Sequence, residues 1–136
     1  MKMIVSSLLV ILFSCNSTKK TVAQENFPTG TYEVLELKAE KFKPKITYTI
    51  NIDAEKQRMS GTFDCNTFSS EYNIDGENIE FGYAMSTKMY CEGNMHNEDA
   101  FLGNLNNFNN FKFNGDILEF FNDKNEMILK LKLQRS

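Results

Sequence analysis

Two dipeptides, Asp75-Gly76 and Asn114-Gly115, constrain this chain more than any other feature in it. Each sits between runs in which apolar and polar residues alternate. Tyr72 and Ile74 lead into the first, and Ile79 and Phe81 leave it; residues 108–113 and 116–121 flank the second. Such pairs predict tight type I′ hairpins, whose two central residues need positive φ. The same alternation marks further strands. Over residues 31–37 it is imperfect, with Tyr32, Val34 and Leu37 on one side. Over residues 45–52 it is cleanest, with Ile46, Tyr48, Ile50 and Ile52 sharing a face. Residues 58–63 and 127–133 add two more, and the last alternates Leu129, Lys130, Leu131, Lys132 and Leu133, so one of its faces is solvated. Residues 65–70, CNTFSS, read as a compact polar turn. A single short helix is expected near Asn97, where Glu98 and Asp99 suit the positive end of a helix dipole and Phe101, Leu102 and Leu105 share a face.

About eight short hairpin-linked strands with one helix predict a mainly β fold, a small antiparallel barrel-like domain. Twelve phenylalanines would fill the interior of such a barrel.

The start of the chain has a different composition. Lys2 precedes an apolar run over residues 4–13, then Ser14 and Cys15, a secretory leader pattern too short for a lasting membrane span. The exit Leu12-Phe13-Ser14-Cys15 resembles the lipobox of bacterial lipoproteins, in which the cysteine becomes the first mature residue and carries the lipid. Residues 1–14 are therefore expected to be a signal peptide, residues 15–26 a polar tether, and residues 27–136 the folded domain. Removing residues 1–14 takes Lys2 and leaves 14 basic against 18 acidic residues, a formal charge of −4 in place of −3. That mildly acidic balance gives no footprint for nucleic acid.

With Cys15 lipidated, Cys65 and Cys91 remain as a pair in an oxidising compartment, and the arithmetic favours a disulfide. A thiol redox or metal pair is the alternative, although catalytic thiols usually stand as Cys-x-x-Cys.

Few residues suggest chemistry. His96 is the only histidine, and no nucleophile motif accompanies it, so no catalytic residue is expected. Met85, Met89, Cys91, Met95 and His96 cluster soft ligands suited to Cu(I). Against a copper site, Met85 and Met89 suit core filling and Cys91 is wanted by the disulfide. Asn66, Thr67, Ser69, Ser70, Ser86 and Thr87 could line a polar patch, or bond the local backbone as such residues do in turns.

Taken together, Gly30-Thr31-Tyr32, Met59-x-Gly61, Cys65-Asn66-x-Phe68-Ser69-x-x-Tyr72, Ile79-x-Phe81, Thr87-x-Met89-x-Cys91 and Glu98-x-x-Phe101-x-x-x-Leu105 resemble the META domain family, that of the HslJ-type heat-shock lipoproteins. The likeness spans residues 27–134 and marks Asn66, Phe68, Thr87 and Met89 as motif positions. Asp64, Ser70 and Tyr90 depart from it, replacing two glycines and an alanine. The resemblance implies a small barrel-like domain, secreted or lipid-anchored, with stress or envelope roles and no catalytic residues to carry over. The combined expectation is a non-enzymatic envelope protein facing the periplasm or cell surface. It would have no cofactor and no nucleic-acid partner, and would contact the membrane through Cys15 and another envelope protein through its domain. A metal- or small-ligand-binding barrel is the alternative.

Overall fold

The computed structural model describes residues 27–92 and 95–135. The expected leader and tether, Cys15 included, lie outside the described residues. Nine strands, one α-helix and one 3-10 turn make up the fold: β1 (Gly30–Leu37), β2 (Thr49–Asp53), β3 (Arg58–Phe63), β4 (Asn66–Asp75), β5 (Asn78–Phe81), β6 (Met85–Ser86), α1 (His96–Leu102), the 3-10 turn (Leu105–Asn107), β7 (Asn110–Asn114), β8 (Ile117–Phe121) and β9 (Met127–Leu133).

The sheet runs β3-β2-β1-β9-β8-β7-β5-β4, and β3 pairs with β4 to close an eight-stranded antiparallel barrel. β6 is the extra strand. It pairs with β4 at Phe68 and Ser69, on the edge that β5 occupies at residues 72–75. β5 and β6 are thus one strand interrupted at Gly82, Tyr83 and Ala84. Gly82 N still bonds Glu71 O at 2.8 Å, but Thr87 N reaches Thr67 O, so one extra residue has entered that side, as in a β-bulge. Buried Ser70 answers the bulge by donating to the Gly82 carbonyl at 3.0 Å.

Both sequence hairpins form, displaced by one residue. Asp75 pairs with Asn78 and Asn114 with Ile117, so the central residues are Gly76-Glu77 and Gly115-Asp116. Gly76 (φ 64°) and Gly115 (φ 66°) alone take positive φ in these turns, the type II′ pattern rather than type I′. Cross-strand pairing of apolar residues explains the shift. It sets Ile74 against Ile79 and Phe113 against Leu118, where the type I′ register would have offered Glu77 and Asp116.

Three other expectations change. The strand foreseen over residues 45–52 is paired only from Thr49, and Ile46 is exposed. Residues 38–47 leave the barrel wall, anchored by Phe42 packing on Tyr48 and Phe63. The imperfect alternation of β1 has a cause: a register shift between Val34 and Glu36 turns Leu37 inward and leaves Leu35 outside. Residues 66–70, taken as a turn, begin the longest strand, and the turn itself is Asp64-Cys65.

The interior is filled. Phe101 of α1 stacks on Phe63 at 4.4 Å and lies 4.9 Å from Phe68. Phe108, Phe120 and Phe81 continue the cluster deeper into the barrel. Each such side chain stabilises the fold by about 1.5–3 kcal/mol. Inserting Phe101 also brings the start of α1 down onto the β3–β4 turn, where the polar residues gather.

Candidate functional site

Alternation on β4 points residues 66, 68, 70 and 72 inward, so Asn66 enters the protein beside Phe68 and is 1 % exposed. An amide there needs every hydrogen-bonding position satisfied. Its Nδ2 donates to Glu98 Oε2 at 2.8 Å and to Met89 O at 3.1 Å. Its Oδ1 accepts from Thr87 Oγ1 at 2.7 Å and Met89 N at 2.8 Å. Buried Glu98 also accepts from Ser86 Oγ at 2.7 Å. The motif positions Asn66, Thr87 and Met89 therefore meet, Met89 through its backbone. Cys65 and Cys91 form a disulfide directly beside them, with Cα atoms 6.3 Å apart.

Asp64 builds a second cluster. Its backbone is left-handed (φ 52°), where a glycine would be easier, but a glycine would lack the carboxylate. Tyr48 Oη donates to Asp64 Oδ1 at 2.5 Å, and Asn97 Nδ2 donates to the same oxygen at 3.3 Å. The backbone N–H groups of Asn97 and Glu98 both donate to Asp64 Oδ2 at 3.2 Å. α1 has no side-chain cap of its own, and Asp64 supplies the acceptor from the β3–β4 turn. Asn97 Oδ1 accepts the backbone N–H of Lys43 at 2.8 Å, tying residues 38–47 to the helix. Burial, with the adjacent Asp64 acceptor, pushes the Tyr48 phenol up to about 12.

Beside these clusters lies a cleft of about 680 Å³ at the barrel end. The loop side contributes Lys41, Lys43, Lys45 and Ile46, and the facing wall contributes Tyr48, the Cys65–Cys91 bridge and His96.

Sequence reasoning named Asn66, Thr87, Cys65 and Cys91 but passed over Tyr48, Asp64, Asn97 and Glu98. Glu98 stands in the first turn of α1, as expected, and is in addition a buried hydrogen-bond acceptor. The soft-ligand cluster loses Cys91 to the disulfide. Met85 and Met89 are 70 % and 55 % exposed rather than core fillers. No group of three histidine, cysteine or carboxylate side chains is placed to hold a metal ion among the described residues. Nor does a hydrogen bond join His96 to a nucleophile among them. What the arrangement does chemically is hold: it fixes residues 87–91, the helix start and the loop of residues 38–47 to one hairpin tip.

Solved structures with the same fold include a protein from Burkholderia xenovorans determined by NMR, at a TM-score of 0.64 and 15 % identity over 100 % of both chains. A crystal structure of a DUF4847 family protein from Bacteroides vulgatus aligns at a TM-score of 0.60 and 15 % identity, covering 84 % of this chain and 99 % of that one. No curated protein matches the sequence. The sequence model of the META domain matches residues 25–134, a span that holds the barrel, both polar clusters and the disulfide. The chain belongs to the META domain family.

Proposed function

We propose that this chain is a non-catalytic, lipid-anchored protein of the bacterial envelope that supports stress tolerance or envelope maintenance through contact with another envelope protein. One observation carries the reading. Tyr83, Met85, Met89 and Tyr90 are 95 %, 70 %, 55 % and 83 % exposed on one short stretch around β6. β6 ends the sheet, and no strand among the described residues pairs with its outer edge. Aromatic and methionine side chains are enriched at protein interfaces, and apolar patches of this kind mark contact sites. The polar clusters beneath hold that stretch in one conformation, which lowers the entropic cost of a partner docking on it. The filled barrel and the fully engaged Asn66 amide favour a structural role over a catalytic one. The anchor rests on the leader and lipobox pattern ending at Cys15.

Photocrosslinking residues placed singly at Tyr83, Met85 and Lys132 in the native host test the contact. One discrete adduct from Tyr83 and Met85, absent from Lys132 on the opposite arc of the barrel wall, is the expected result. Adducts that are absent, or equal at all three positions, would remove the reading.

A further inference from the structure

The cleft at the barrel end differs in character from the rest of an acidic protein. Lys41, Lys43 and Lys45 all line it, three of the fifteen basic residues of the chain, and His96 stands across from them. Two carboxylates share the lining, Glu40 and Asp64. Asp64 already accepts from Tyr48, Asn97 and two backbone N–H groups, so its charge is satisfied within the wall. The balance facing an incoming molecule is cationic.

The same cleft has an apolar surface. Ile46 is 63 % exposed at its edge, unusual for a β-branched aliphatic residue on a loop this well tied down. Tyr48, 5 % exposed, and the bridged residues Cys65 and Cys91 also line the cleft. The loop does not owe its position to the lysines. Phe42 packs against Tyr48 and Phe63, and the Lys43 backbone bonds to Asn97. Among the described residues no ion pair engages the three ammonium groups, and all three lysines are exposed. About 680 Å³ is the size of a site for a small organic ligand.

We propose that this cleft binds an amphiphilic anion, its head among Lys41, Lys43 and Lys45 and its acyl or aromatic body against Ile46, Tyr48 and the disulfide. This stands apart from the protein contact around β6 and needs no lipid at Cys15. Such a molecule can be a free carboxylate amphiphile or the head and glycerol region of an anionic phospholipid, so the test has two arms.

The chain following Ser14, with Cys15→Ser to keep it soluble, is titrated with laurate, with lauryl alcohol as the uncharged control, and separately with phosphatidylglycerol or phosphatidylcholine vesicles. Each is repeated with the Lys41→Gln/Lys43→Gln/Lys45→Gln variant and with Ile46→Asp. None of these four side chains is buried, so the variants should fold, and a near-native melting curve checks it. Saturable laurate binding, weakened about tenfold or more by either variant and weak for the alcohol, supports the proposal with a free amphiphile. Binding confined to phosphatidylglycerol vesicles, with the same loss in both variants, supports it with a lipid. No binding in either arm overturns it. So does binding that the lysine variant weakens and Ile46→Asp leaves untouched, because simple charge attraction needs no cleft.

Discussion

Replacing Asn66 with alanine tests the polar joint at its centre. The amide fills four hydrogen-bonding roles, two to the Met89 backbone, one to Thr87 and one to Glu98. Thr87 is exposed, and its hydroxyl can turn to water, so that loss is small. Glu98 is 4 % exposed and keeps only Ser86 among the described residues, and taking a partner from a buried acceptor costs about 1–3 kcal/mol. The two Met89 backbone groups add about 1 kcal/mol each. The expected cost is therefore about 3–5 kcal/mol, a large share of a typical total of about 5–15 kcal/mol. In urea, with a slope of about 1–2 kcal/mol per molar, the midpoint should fall by about 1.5 M or more with little change in slope. Asn66→Asp preserves shape but removes both donors and sets a carboxylate against Glu98, so it should be at least as damaging. A loss below about 1 kcal/mol in Asn66→Ala, or a tolerated Asn66→Asp, would refute the reasoning.

Asp64→Gly separates backbone from side chain: it relieves a left-handed residue at a gain of about 1 kcal/mol but removes the acceptor shared by Tyr48, Asn97 and the start of α1, so net destabilisation by about 1–2 kcal/mol is expected, and a more stable variant would contradict the role assigned to the carboxylate. Gly61→Ala should cost about 1–3 kcal/mol in thermal or urea unfolding, since a Cβ there would stand 2.8 Å from the Thr49 carbonyl and 3.0 Å from the Phe68 ring. Tyr32 and Tyr48 are raised to about 12 by burial, and Tyr72 is raised further. The folded state thus keeps protons that the unfolded chain releases above pH of about 10. Stability should hold below that pH and fall as pH rises from about 10 to about 12, with Tyr48→Phe flattening part of the slope in an alkaline titration followed by circular dichroism.

Much of the fold was legible because β3 and β5 alternate simply and bury Met59, Phe63, Ile79 and Phe81, while β8 and β9 bury Leu118, Phe120, Leu129 and Leu131 at alternate positions. The misread places are those where polarity opposes position. Asn66 and Ser70 occupy inward sites on β4, so the start of the longest strand looked like a turn; only the partners at Glu98, Met89 and Gly82 make those sites tolerable. Ile46 continued the period of β2 perfectly, but local alternation carries no information about Phe42 and Lys43 drawing the loop across the barrel end. The joint itself was half visible. The resemblance marked Asn66, Thr87 and Met89 as motif positions, without the reason. Tyr48, Asp64 and the Asn97-Glu98 pair are far apart in sequence, and each has an ordinary local explanation as strand, turn or helix-start residue. Two of them left a trace, Glu98 inside the resembling motif and Asp64 as an aspartate where the resembling sequences favour glycine.

The proposed function requires an anchored domain in an oxidising compartment, with the Cys65–Cys91 disulfide formed. Non-reducing mass spectrometry of the protein purified from its native membranes tests that most directly. The account predicts a chain beginning at a lipid-modified Cys15, with the Cys65 and Cys91 peptides linked to each other. A chain that retains residues 1–14, or carries free thiols at Cys65 and Cys91, would contradict it.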